Sequence, residues 1–368
     1  MKNIFITGAT GFLGSYLLKR ILDDNDTFVN ILARSKKSVP AKERIEKVLE
    51  YFYGKDAYDD ILKRIRIIDG AIDRTFFGMD PETKKLLISE VDEIYHSAAI
   101  AEFRVPLEVI RKTNVEGTRN VLEFAMECNR KGRLRKLNHV STTYLAGDRK
   151  GVFYENELDV GQKFNNTYEQ SKFEAELLVR EYMKKGLNVT IFRPSILTGD
   201  SITGKTSNFK MLYQPLRFFA AELFDAIPAN RAALENLIAV DSAAEAIHVI
   251  AKDLASGGNT YHVANPEIVT AGHFVDVASD FFGFKKPEFI PVEKFDQKAL
   301  SDVQRLLLDP FVPYFNYTLS FDVSNLNSML KKKRIDISQI SDAFLSNIFK
   351  FCADSGFIKP KRRYAVAG

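Results

Sequence analysis

The feature that most constrains this chain is a glycine-rich turn that directly follows a short apolar segment. Residues 3–7 predict a strand, the next seven residues contain Gly8, Gly11 and Gly14, and a helical pattern follows. Gly8 permits a tight turn, Gly11 leaves the backbone open to phosphates, and Gly14 lets the helix pack close to the strand. Because the helix N-terminus adds free N–H donors and a positive dipole end, this arrangement predicts the pyrophosphate site of a dinucleotide. The alternative is a chance glycine-rich turn.

Composition and charge exclude several classes of protein. The chain has 368 residues, 45% hydrophobic and 27% charged, which is ordinary for a globular protein with a substantial core. A net charge of +4 is too small to predict binding to nucleic acid and indicates only a mild preference for anionic ligands. Two cysteines, Cys128 and Cys352, form no disulfide framework and favour a reducing compartment, so a cytoplasmic location is expected. Neither they nor the five histidines have the spacing of metal ligands, so no metal site is predicted.

The sequence predicts no segment that crosses a membrane. No run of about 18 apolar residues occurs, and the glycine turn interrupts the first apolar stretch too early for a signal peptide. The basic segment 359–363 is interpreted as a solvated, frayed end. The alternative is a weak contact with a membrane surface or an acidic partner.

Apolar strands alternate with helical patterns through residue 195. After the first strand, further strands are predicted at 28–33, 66–69, 93–97, 136–141 and 187–193. Helices are predicted at 41–53, 106–128 and 168–185, and another starts near Pro81. This alternation predicts an α/β fold of the Rossmann type, with a doubly wound parallel sheet covered on both faces.

The pattern changes after residue 195 and indicates a second part. A short strand at 236–240, a helix that Asp241 caps and that runs to residue 251, and a strand at 260–264 return to the first pattern. We therefore predict a dinucleotide-binding domain of residues 1–195 plus 236–267. Residues 196–235 plus 268–368 are predicted to form a smaller, mostly helical substrate-binding part.

The end of the second predicted strand selects the nucleotide. An acidic residue at this place accepts from the ribose 2′-OH, whereas this chain has Arg34 and Ser35. The guanidinium of Arg34 pairs with a 2′-phosphate and Ser35 donates as well, so NADPH is favoured over NADH. The alternative is that these residues belong to a solvated loop and that NADH binds.

A phenol and an ammonium, those of Tyr168 and Lys172, lie one helical turn apart. Lys172 is expected to lower the pKa of Tyr168 toward neutrality by stabilising the phenolate. Tyr168 then donates a proton to a carbonyl oxygen as hydride reaches the carbon. Thr142, at the carboxyl end of the fifth strand, is predicted to hold the same oxygen. The alternatives are a surface pair for Tyr168 and Lys172 and a structural hydroxyl for Thr142.

The chain resembles the extended short-chain dehydrogenase/reductase family over most of residues 1–265. The resemblance rests on the glycine turn, on Tyr168 and Lys172, and on three further motifs, His96-Ser97-Ala98-Ala99, Asn114-Val115-Glu116-Gly117-Thr118 and Val140-Ser141-Thr142. Within this family the chain is similar to the male-sterility, fatty acyl-CoA reductase and thioester reductase branch. That similarity rests on Phe192-Arg193-Pro194-Ser195-Ile196, Thr198-Gly199-Asp200-Ser201, Gly204-Lys205-Thr206-Ser207 and the segment 319–325.

The resemblance implies a reaction. Such enzymes transfer hydride from NADPH to a thioester carbonyl, and the hemithioacetal collapses to an aldehyde and a free thiol carrier; some members continue to the alcohol. Thr142 and Tyr168 would stabilise the oxyanion, Lys172 would orient the ribose, and Asn114 would brace the site. The substrate is then expected on coenzyme A or on a separate acyl-carrier protein. A homodimer through two long helices that flank the sheet is also common in the family.

The resemblance further implies a set of cofactor-binding residues that are spread over several segments of the chain. These are Thr7, Gly8, Thr10, Gly11, Phe12, Leu13, Gly14, Arg34, Ser35, Ala71, Ile72, Ser97, Ala98, Ala99, Tyr168, Lys172, Pro194, Ser195 and Ile196. Related enzymes usually carry an Asp at the position of Ala71, where it accepts from the adenine amino group. That contact is absent in this chain unless Asp69 or Asp73 replaces it.

Two other functions stay open at this point. An extended-family enzyme could act on a nucleotide sugar, as an epimerase or dehydratase, or on a simple ketone or alcohol; the Phe- and Leu-rich stretch 211–224 argues mildly against a sugar. The third hypothesis for the function is a nucleotide-binding sensor that has lost catalysis. Lys205 and Lys210 are candidates for binding a phosphate of CoA or phosphopantetheine. The alternative is that both lysines belong to a flexible, solvated lid. Phenylalanines such as Phe218 and Phe281 line an acyl channel or form core.

Overall fold

Seven parallel strands form the central sheet of the structure, a computed structural model that describes residues 1–55 and 58–361, with Gln297 described only by its backbone. The strands of the chain are β1 (Lys2–Thr7), β2 (Thr27–Ala33), β3 (Ile65–Asp69), β4 (Glu93–His96), β5 (Lys136–Val140), β6 (Gly151–Phe153), β7 (Val189–Pro194), β8 (Ile196–Thr198), β9 (Ala226–Pro228), β10 (Leu234–Glu235), β11 (Leu237–Ala239), β12 (Thr260–Val263), β13 (Val269–Thr270), β14 (Glu288–Ile290) and β15 (Leu319–Phe321). The order in the central sheet is β12-β7-β5-β4-β1-β2-β3. This topology confirms the predicted Rossmann-type, doubly wound α/β fold.

Helices cover both faces of this sheet. They are α1 (Phe12–Asp23), α2 (Ala41–Tyr53), α3 (Tyr58–Leu62), α4 (Pro81–Glu90), α5 (Leu107–Arg111), α6 (Gly117–Arg130), α7 (Thr167–Lys184), α8 (Tyr213–Ala220), α9 (Val240–Ala251), α10 (Ala271–Phe282), α11 (Asp302–Leu308), α12 (Ser324–Lys333) and α13 (Asp342–Asp354). Because the strands are buried on both faces, β1 contributes Ile4 and Ile6 to one core and Phe5 to the other. None of the helices in the described ranges is long and apolar enough to cross a membrane.

Local sequence signals explain where several helices begin. Pro81 stands at the start of α4, where Asp80 caps the helix by accepting from the Thr83 amide at 2.9 Å. The predicted long helix 106–128 consists of α5, a π-helical turn at Lys112–Glu116 and α6. The expectation that Asp241 caps α9 is wrong, because the N-cap is Ala239 and Asp241 lies in the first turn. The Asp241 carboxylate instead accepts from the amide and the hydroxyl of Ser201, at 2.9 and 2.6 Å.

The chain beyond β7 builds a separate aromatic core and also returns to the central sheet. Residues of α8, α10 and α13 form the aromatic core together with the segment 144–146. Leu326 and Leu330 of α12 pack instead in the core between the sheet and α1. The division into two parts stays a prediction. Of the basic segment, Lys361 donates its amide to Phe282 O and pairs with Glu222, whereas positions 362 and 363 lie outside the described residues.

A buried ion pair joins α7 to β7. Arg193 and Glu176 are both inaccessible to solvent, and the guanidinium donates to the two carboxylate oxygens at 3.0 and 2.6 Å. Burial opposes ionisation of Glu176, but the positive charge and hydrogen bonds of Arg193 hold its pKa below the usual value. The remaining donors of Arg193 reach Glu157 O and His262 Nε2, so the cation is paired on every side.

Removing Arg193 should therefore destabilise the protein strongly. We expect Arg193→Met to lower the free energy of unfolding by about 3 kcal/mol or more, because it leaves a buried carboxylate without its main partner. The matched control is Lys47→Met, which removes an exposed pair with Glu43 and should change stability by less than about 0.5 kcal/mol. Urea unfolding followed by circular dichroism measures both. Equal effects for the two variants would contradict the importance of the buried pair.

Candidate active site

The glycine turn between β1 and α1 is built so tightly that two of its positions require glycine. Gly8 has φ +83°, and a Cβ there would lie 2.6 Å from the Ala98 amide nitrogen. A Cβ on Gly14 would lie 2.1 Å from Gly8 O, so any side chain would push α1 away from the turn. Gly11 is the N-cap of α1 and offers no side chain to its first amides. These amides therefore remain open to an anion, as the sequence predicts.

Most of the predicted cofactor-binding residues line one cleft of about 790 Å³, which we call the glycine-turn cleft. They are Thr7, Gly8, Thr10, Gly11, Arg34, Ala71, Ile72, Ser97, Ala98 and Ala99. Phe12, Leu13 and Gly14 form the first turn of α1 behind it, and Pro194, Ser195 and Ile196 lie at the carboxyl end of β7. The structure thus brings the predicted segments to the same edge of the sheet, where open α/β folds bind ligands.

A hydrogen-bonded chain of side chains holds Thr7 at the floor of this cleft. The Thr7 hydroxyl lies 2.8 Å from His96 Nδ1, and His96 Nε2 lies 3.0 Å from the Thr118 hydroxyl. Thr118 donates in turn to Asn114 O at 2.7 Å. Burial lowers the pKa of His96 to about 3, so its ring is neutral and Nε2 carries the proton in this chain. His96 therefore positions Thr7, one of the predicted cofactor-binding residues.

Four cations lie at the far end of the cleft, namely Arg34, Arg44, Arg74 and Lys112. There the cleft opens into a second hollow, which is lined by Arg34, Ser35, Asp69, Gly70, Ala71, Asp73, Arg74 and Lys112. Sequence reasoning found Arg34 but missed Arg44, which also lines the glycine-turn cleft. Arg44 donates to Arg34 O at 2.6 Å and to the Thr10 hydroxyl at 2.7 Å. Burial, and then the charge of Arg34, lower the pKa of Arg44. Its position in the first turn of α2 was the one available signal.

Ser35 donates to Asp69, whereas the sequence predicted that it donates to a 2′-phosphate. Its amide and hydroxyl donate to the Asp69 carboxylate at 3.0 and 2.6 Å, and these hydrogen bonds lower the pKa of Asp69. The Ser35 hydroxyl also accepts from the Ala41 amide. Its proton is thus committed to Asp69. The Asp69 carboxylate is hydrogen-bonded to Ser35, whereas Asp73 lines both the glycine-turn cleft and the second hollow. Of the two aspartates, Asp73 is therefore better placed to replace the Asp that related enzymes carry at the position of Ala71.

Tyr168, Thr142 and Lys172 converge at the carboxyl end of β5. The Thr142 hydroxyl forms a hydrogen bond with the Tyr168 phenol, accepts from the Tyr144 amide at 3.3 Å and reaches Pro194 O at 3.4 Å. Lys172 is 4% exposed and donates to Val140 O at 2.9 Å. The side chains expected to handle one carbonyl oxygen thus lie together.

The expectation that Lys172 depresses the pKa of Tyr168 is wrong for this structure. Burial raises the pKa of Tyr168 to about 12, and the hydrogen bond from Thr142 offsets only part of that rise. The ammonium of Lys172 is directed to the Val140 carbonyl, and burial lowers its own pKa to about 8. At neutral pH the phenol is therefore protonated and able to donate, and Lys172 is still charged.

Asn114 ties a loop beside the cleft to α7. Its side-chain oxygen accepts from the Ile100 amide at 2.7 Å, and its side-chain nitrogen donates to Ile100 O at 3.0 Å and to the Ser171 hydroxyl at 2.9 Å. Asn114 lies within the π-helical turn, which interrupts the helix just where the side chain must reach across. These contacts fit the predicted bracing role, because Ser171 lies beside Lys172 on α7.

Two cavities lie next to the catalytic groups. The outer cavity, of about 890 Å³, is lined by residues that include Phe103, Lys210, Met211, Phe218 and Phe311. Phe103 approaches Tyr168, with 6.3 Å between ring centroids. The inner cavity shares Met211 and Phe311 with the outer one and extends to Ile196.

Of the two candidate phosphate-binding lysines, Lys210 pairs with Glu102 at the outer cavity, whereas Lys205 lies over the ring of Tyr51, on the far end of α2. Phe281 packs against the aromatic core and lines neither cavity. Within the described ranges, no group of three or more His, Cys, Asp or Glu residues could hold a metal ion.

Comparison with known proteins identifies the family. The family model described as male sterility protein matches residues 6–247. The chain belongs to this family. Membership in the male sterility family confirms the resemblance to that branch of the extended short-chain dehydrogenase/reductases and the enzyme class of this domain, an NAD(P)-dependent oxidoreductase.

The proteins that this chain is similar to differ in length. A nonribosomal peptide synthetase of Aspergillus flavus is 31% identical over 212 residues, 55% of this chain and 20% of that protein. A putative fatty acyl-CoA reductase of Drosophila melanogaster is 30% identical over 228 residues, 54% of this chain and 41% of that protein. The chain thus spans between a fifth and two fifths of these relatives. The crystal structure of the terminal R domain from the myxalamid PKS-NRPS biosynthetic pathway is 28% identical with a TM-score of 0.83, over 98% of this chain and 93% of that one.

Asn114→Ala should loosen the loop at Ile100 without unfolding the sheet. The Ile100 amide loses its acceptor, and we expect its hydrogen exchange to accelerate about tenfold, as the loss of roughly one hydrogen bond predicts. Asn120→Ala is the matched control, because Asn120 on the same helix binds Ile72 O and Arg74 O instead. It should leave Ile100 unchanged. An unchanged Ile100 amide in Asn114→Ala would remove Asn114 from the bracing role.

Proposed function

We propose that this protein reduces an acyl thioester to an aldehyde or alcohol with NADPH. The observation that carries the proposal is the placement of Thr142 and Tyr168 near both a dinucleotide-type cleft and two cavities that carry aromatic and aliphatic side chains. A fatty acyl-CoA reductase and the reductase domain of a biosynthetic assembly are among the proteins it resembles. Thioester reduction requires a dinucleotide cofactor and an apolar acyl chain to lie on either side of the same carbonyl group.

The residues of the chain supply proton transfer and charge stabilisation. The bound dinucleotide supplies the hydride. Thr142 and Tyr168 donate hydrogen bonds to the carbonyl oxygen as negative charge develops on it. Tyr168 then transfers its proton to that oxygen, which gives a hemithioacetal. When the hemithioacetal collapses, the C–S bond breaks, an aldehyde forms and the thiol carrier leaves with a proton. Lys172, whose ammonium donates to Val140 O, would orient the ribose of the bound dinucleotide.

The basic end of the cleft supports NADPH as the cofactor. The open amides of α1 suit the pyrophosphate, and Arg34, Arg44, Arg74 and Lys112 gather around the place where the adenosine ribose would lie. A 2′-phosphate brings two negative charges into this cationic hollow. Ser35 contributes by orienting the loop through Asp69. Arg34 is exposed and ready to pair, whereas Arg44 braces the turn through Thr10.

The acyl group is proposed to arrive on coenzyme A or on an acyl-carrier protein. Lys210 lines the outer cavity together with Arg104 and is a candidate contact for a phosphate of either carrier. The lining of the inner cavity is mainly aliphatic and aromatic, which argues against a nucleotide sugar, whose many hydroxyls require hydrogen-bond partners.

Tyr168→Phe tests the chemistry. We expect kcat for reduction of acyl-CoA substrates to fall about 100-fold or more, because the proton donor is lost, while the Kd for NADPH changes less than about twofold, since the phenol contributes little binding energy. Loss of absorbance at 340 nm and mass spectrometry of the products measure turnover. Tyr182→Phe, on the same helix but in the core beside α6, is the control and should keep full activity. Undiminished turnover in Tyr168→Phe would exclude Tyr168 as the donor.

Arg34→Met tests the cofactor. We expect the Kd for NADPH to rise about tenfold and the Kd for NADH to change little, because a charge-assisted contact with the 2′-phosphate is lost. Arg44→Met should weaken both cofactors, since Arg44 also holds Thr10. Lys42→Met, an exposed neighbour of Arg44 on α2, should change neither Kd. Fluorescence titration measures all four proteins. An unchanged NADPH/NADH ratio in Arg34→Met would refute the 2′-phosphate contact.

A further inference from the structure

Among the described residues, the inner cavity is lined by a single carboxyl side chain, that of Glu235. Its lining is otherwise apolar or aromatic and consists of Ile196, Met211, Leu212, Pro215, Phe219, Ile227, Ala271, Phe274, Val275, Phe289, Phe311, Tyr314 and Phe315. The only other polar side chain, Tyr314, is already occupied: its hydroxyl donates to Glu169 at 2.5 Å and accepts from Asn166 at 2.6 Å. Glu235 is therefore the one polar group that the cavity offers to a ligand.

Glu235 differs from the other buried glutamates of the described chain because no protein group is hydrogen-bonded to its carboxyl. Glu155 accepts from three backbone amides, Glu169 from Tyr314 and Asn165, and Glu176 from Arg193. Glu235 is only 8% exposed. A buried carboxyl without a partner is costly. Its retention in an apolar wall points to a partner that a ligand supplies.

The inner cavity is within reach of the reacting groups. Tyr314 in its wall lies 5.4 Å from the ring of Phe103 and 5.4 Å from that of Tyr144. Phe103 contacts Tyr168, and the Tyr144 amide donates to Thr142. Ile196 in the same wall belongs to the segment assigned to the cofactor. An acyl chain whose carbonyl meets Thr142 and Tyr168 can therefore extend into this cavity.

We propose that the inner cavity holds the acyl chain and that Glu235 recognises a hydroxyl group on it. This inference rests on the proposed thioester reduction for the position of the carbonyl. The geometry on which it depends is the juxtaposition of an unpartnered, buried Glu235 with an otherwise apolar cavity, whose wall residue Tyr314 is connected to Tyr168 through the ring of Phe103.

The protonation state of Glu235 favours a hydroxyl over a charged group. Burial alone raises the pKa of Glu235 to about 8, so the side chain is mainly a neutral carboxylic acid at pH 7. A neutral acid both donates and accepts, as a hydroxyl does, and the pair buries no charge. An ammonium would form an ion pair with no other polar group to satisfy its remaining N–H donors. An unsubstituted chain would leave the acid unpaired.

Substrate selectivity tests this assignment. Values of kcat/KM are measured with NADPH for octanoyl-CoA, its monohydroxylated isomers and the analogue with a terminal amine, in the wild type, Glu235→Leu, Glu235→Gln and Glu288→Leu. We expect the wild type to prefer one hydroxylated isomer over octanoyl-CoA by about tenfold or more. Glu235→Leu should lose this preference and accept octanoyl-CoA at least as well. Glu235→Gln keeps a donor and an acceptor and should retain part of it.

The controls separate folding, selectivity and the proposed function. Glu288 is exposed on β14, next to Phe289, so Glu288→Leu should behave like the wild type. Glu235→Leu replaces an unpaired buried acid by an apolar group, and its melting temperature should not fall. Binding of octanoyl- and hydroxyoctanoyl-pantetheine, measured by calorimetry, repeats the comparison without turnover. Binding selectivity without reduction of any thioester would support the role of Glu235 and refute the proposed function.

Three results would overturn the assignment. The first is a wild type that prefers no hydroxylated isomer, in turnover and in binding. The second is the same preference in Glu235→Leu as in the wild type. The third is a preference for the amine that Glu235→Gln abolishes, which would show that Glu235 acts as a carboxylate.

Discussion

The buried pair between Glu176 and Arg193 is the interaction on which the geometry of the site depends. It joins α7 to β7 where neither side chain contacts water. Tyr168, Lys172 and Glu176 follow one another at intervals of four residues, so the contact that fixes Glu176 also fixes the face of α7 that carries the phenol and the ammonium. Because the carboxylate remains ionised, it also supplies the negative charge that favours the ammonium form of Lys172 against burial. A helix held by apolar contacts alone would define this rotation less sharply.

Burial, rather than a neighbouring charge, sets the acid–base state of the groups in the site. Desolvation raises the pKa of Tyr168 to about 12 and that of Glu235 to about 8, and it lowers that of Lys172 to about 8. At neutral pH Glu235 is therefore a neutral acid within the inner cavity, whereas the carbonyl oxygen would meet the protonated phenol of Tyr168 with the ammonium of Lys172 one helical turn away. That combination suits a reaction in which negative charge develops on an oxygen and must be met by donors already in place.

The sequence predicted those parts of the structure that depend on local patterns. The strand, turn and helix around Gly8 and Gly14, the sheet and the pairing of Tyr168 with Lys172 all follow from spacings of a few residues along the chain. Arg44 could not be predicted in its role, because its contacts with Thr10 and Arg34 depend on how α2 packs on the glycine turn. The engagement of Ser35 by Asp69 joins positions 34 residues apart. Glu235 carries no motif; only the assembled cavity shows that it has no partner.

The two ends of the site have opposite electrostatic character, and this contrast determines where a substrate can react. Arginine and lysine side chains gather where β2 and β3 end, so a highly charged ligand gains most by lying there. The inner cavity carries mainly aromatic and aliphatic walls that disfavour such a ligand, whereas the outer cavity combines apolar residues with the charged side chains of Glu102, Arg104 and Lys210. The outer cavity also offers a charged group beside an apolar one, because both Lys210 and Phe218 line it. A substrate with a charged carrier and an apolar chain would match this pair. The thioester carbonyl is the boundary between the carrier and the chain. Under the proposed function, Thr142 and Tyr168 lie at the corresponding boundary of the protein, so the site would favour chemistry at that carbonyl over chemistry elsewhere on the substrate.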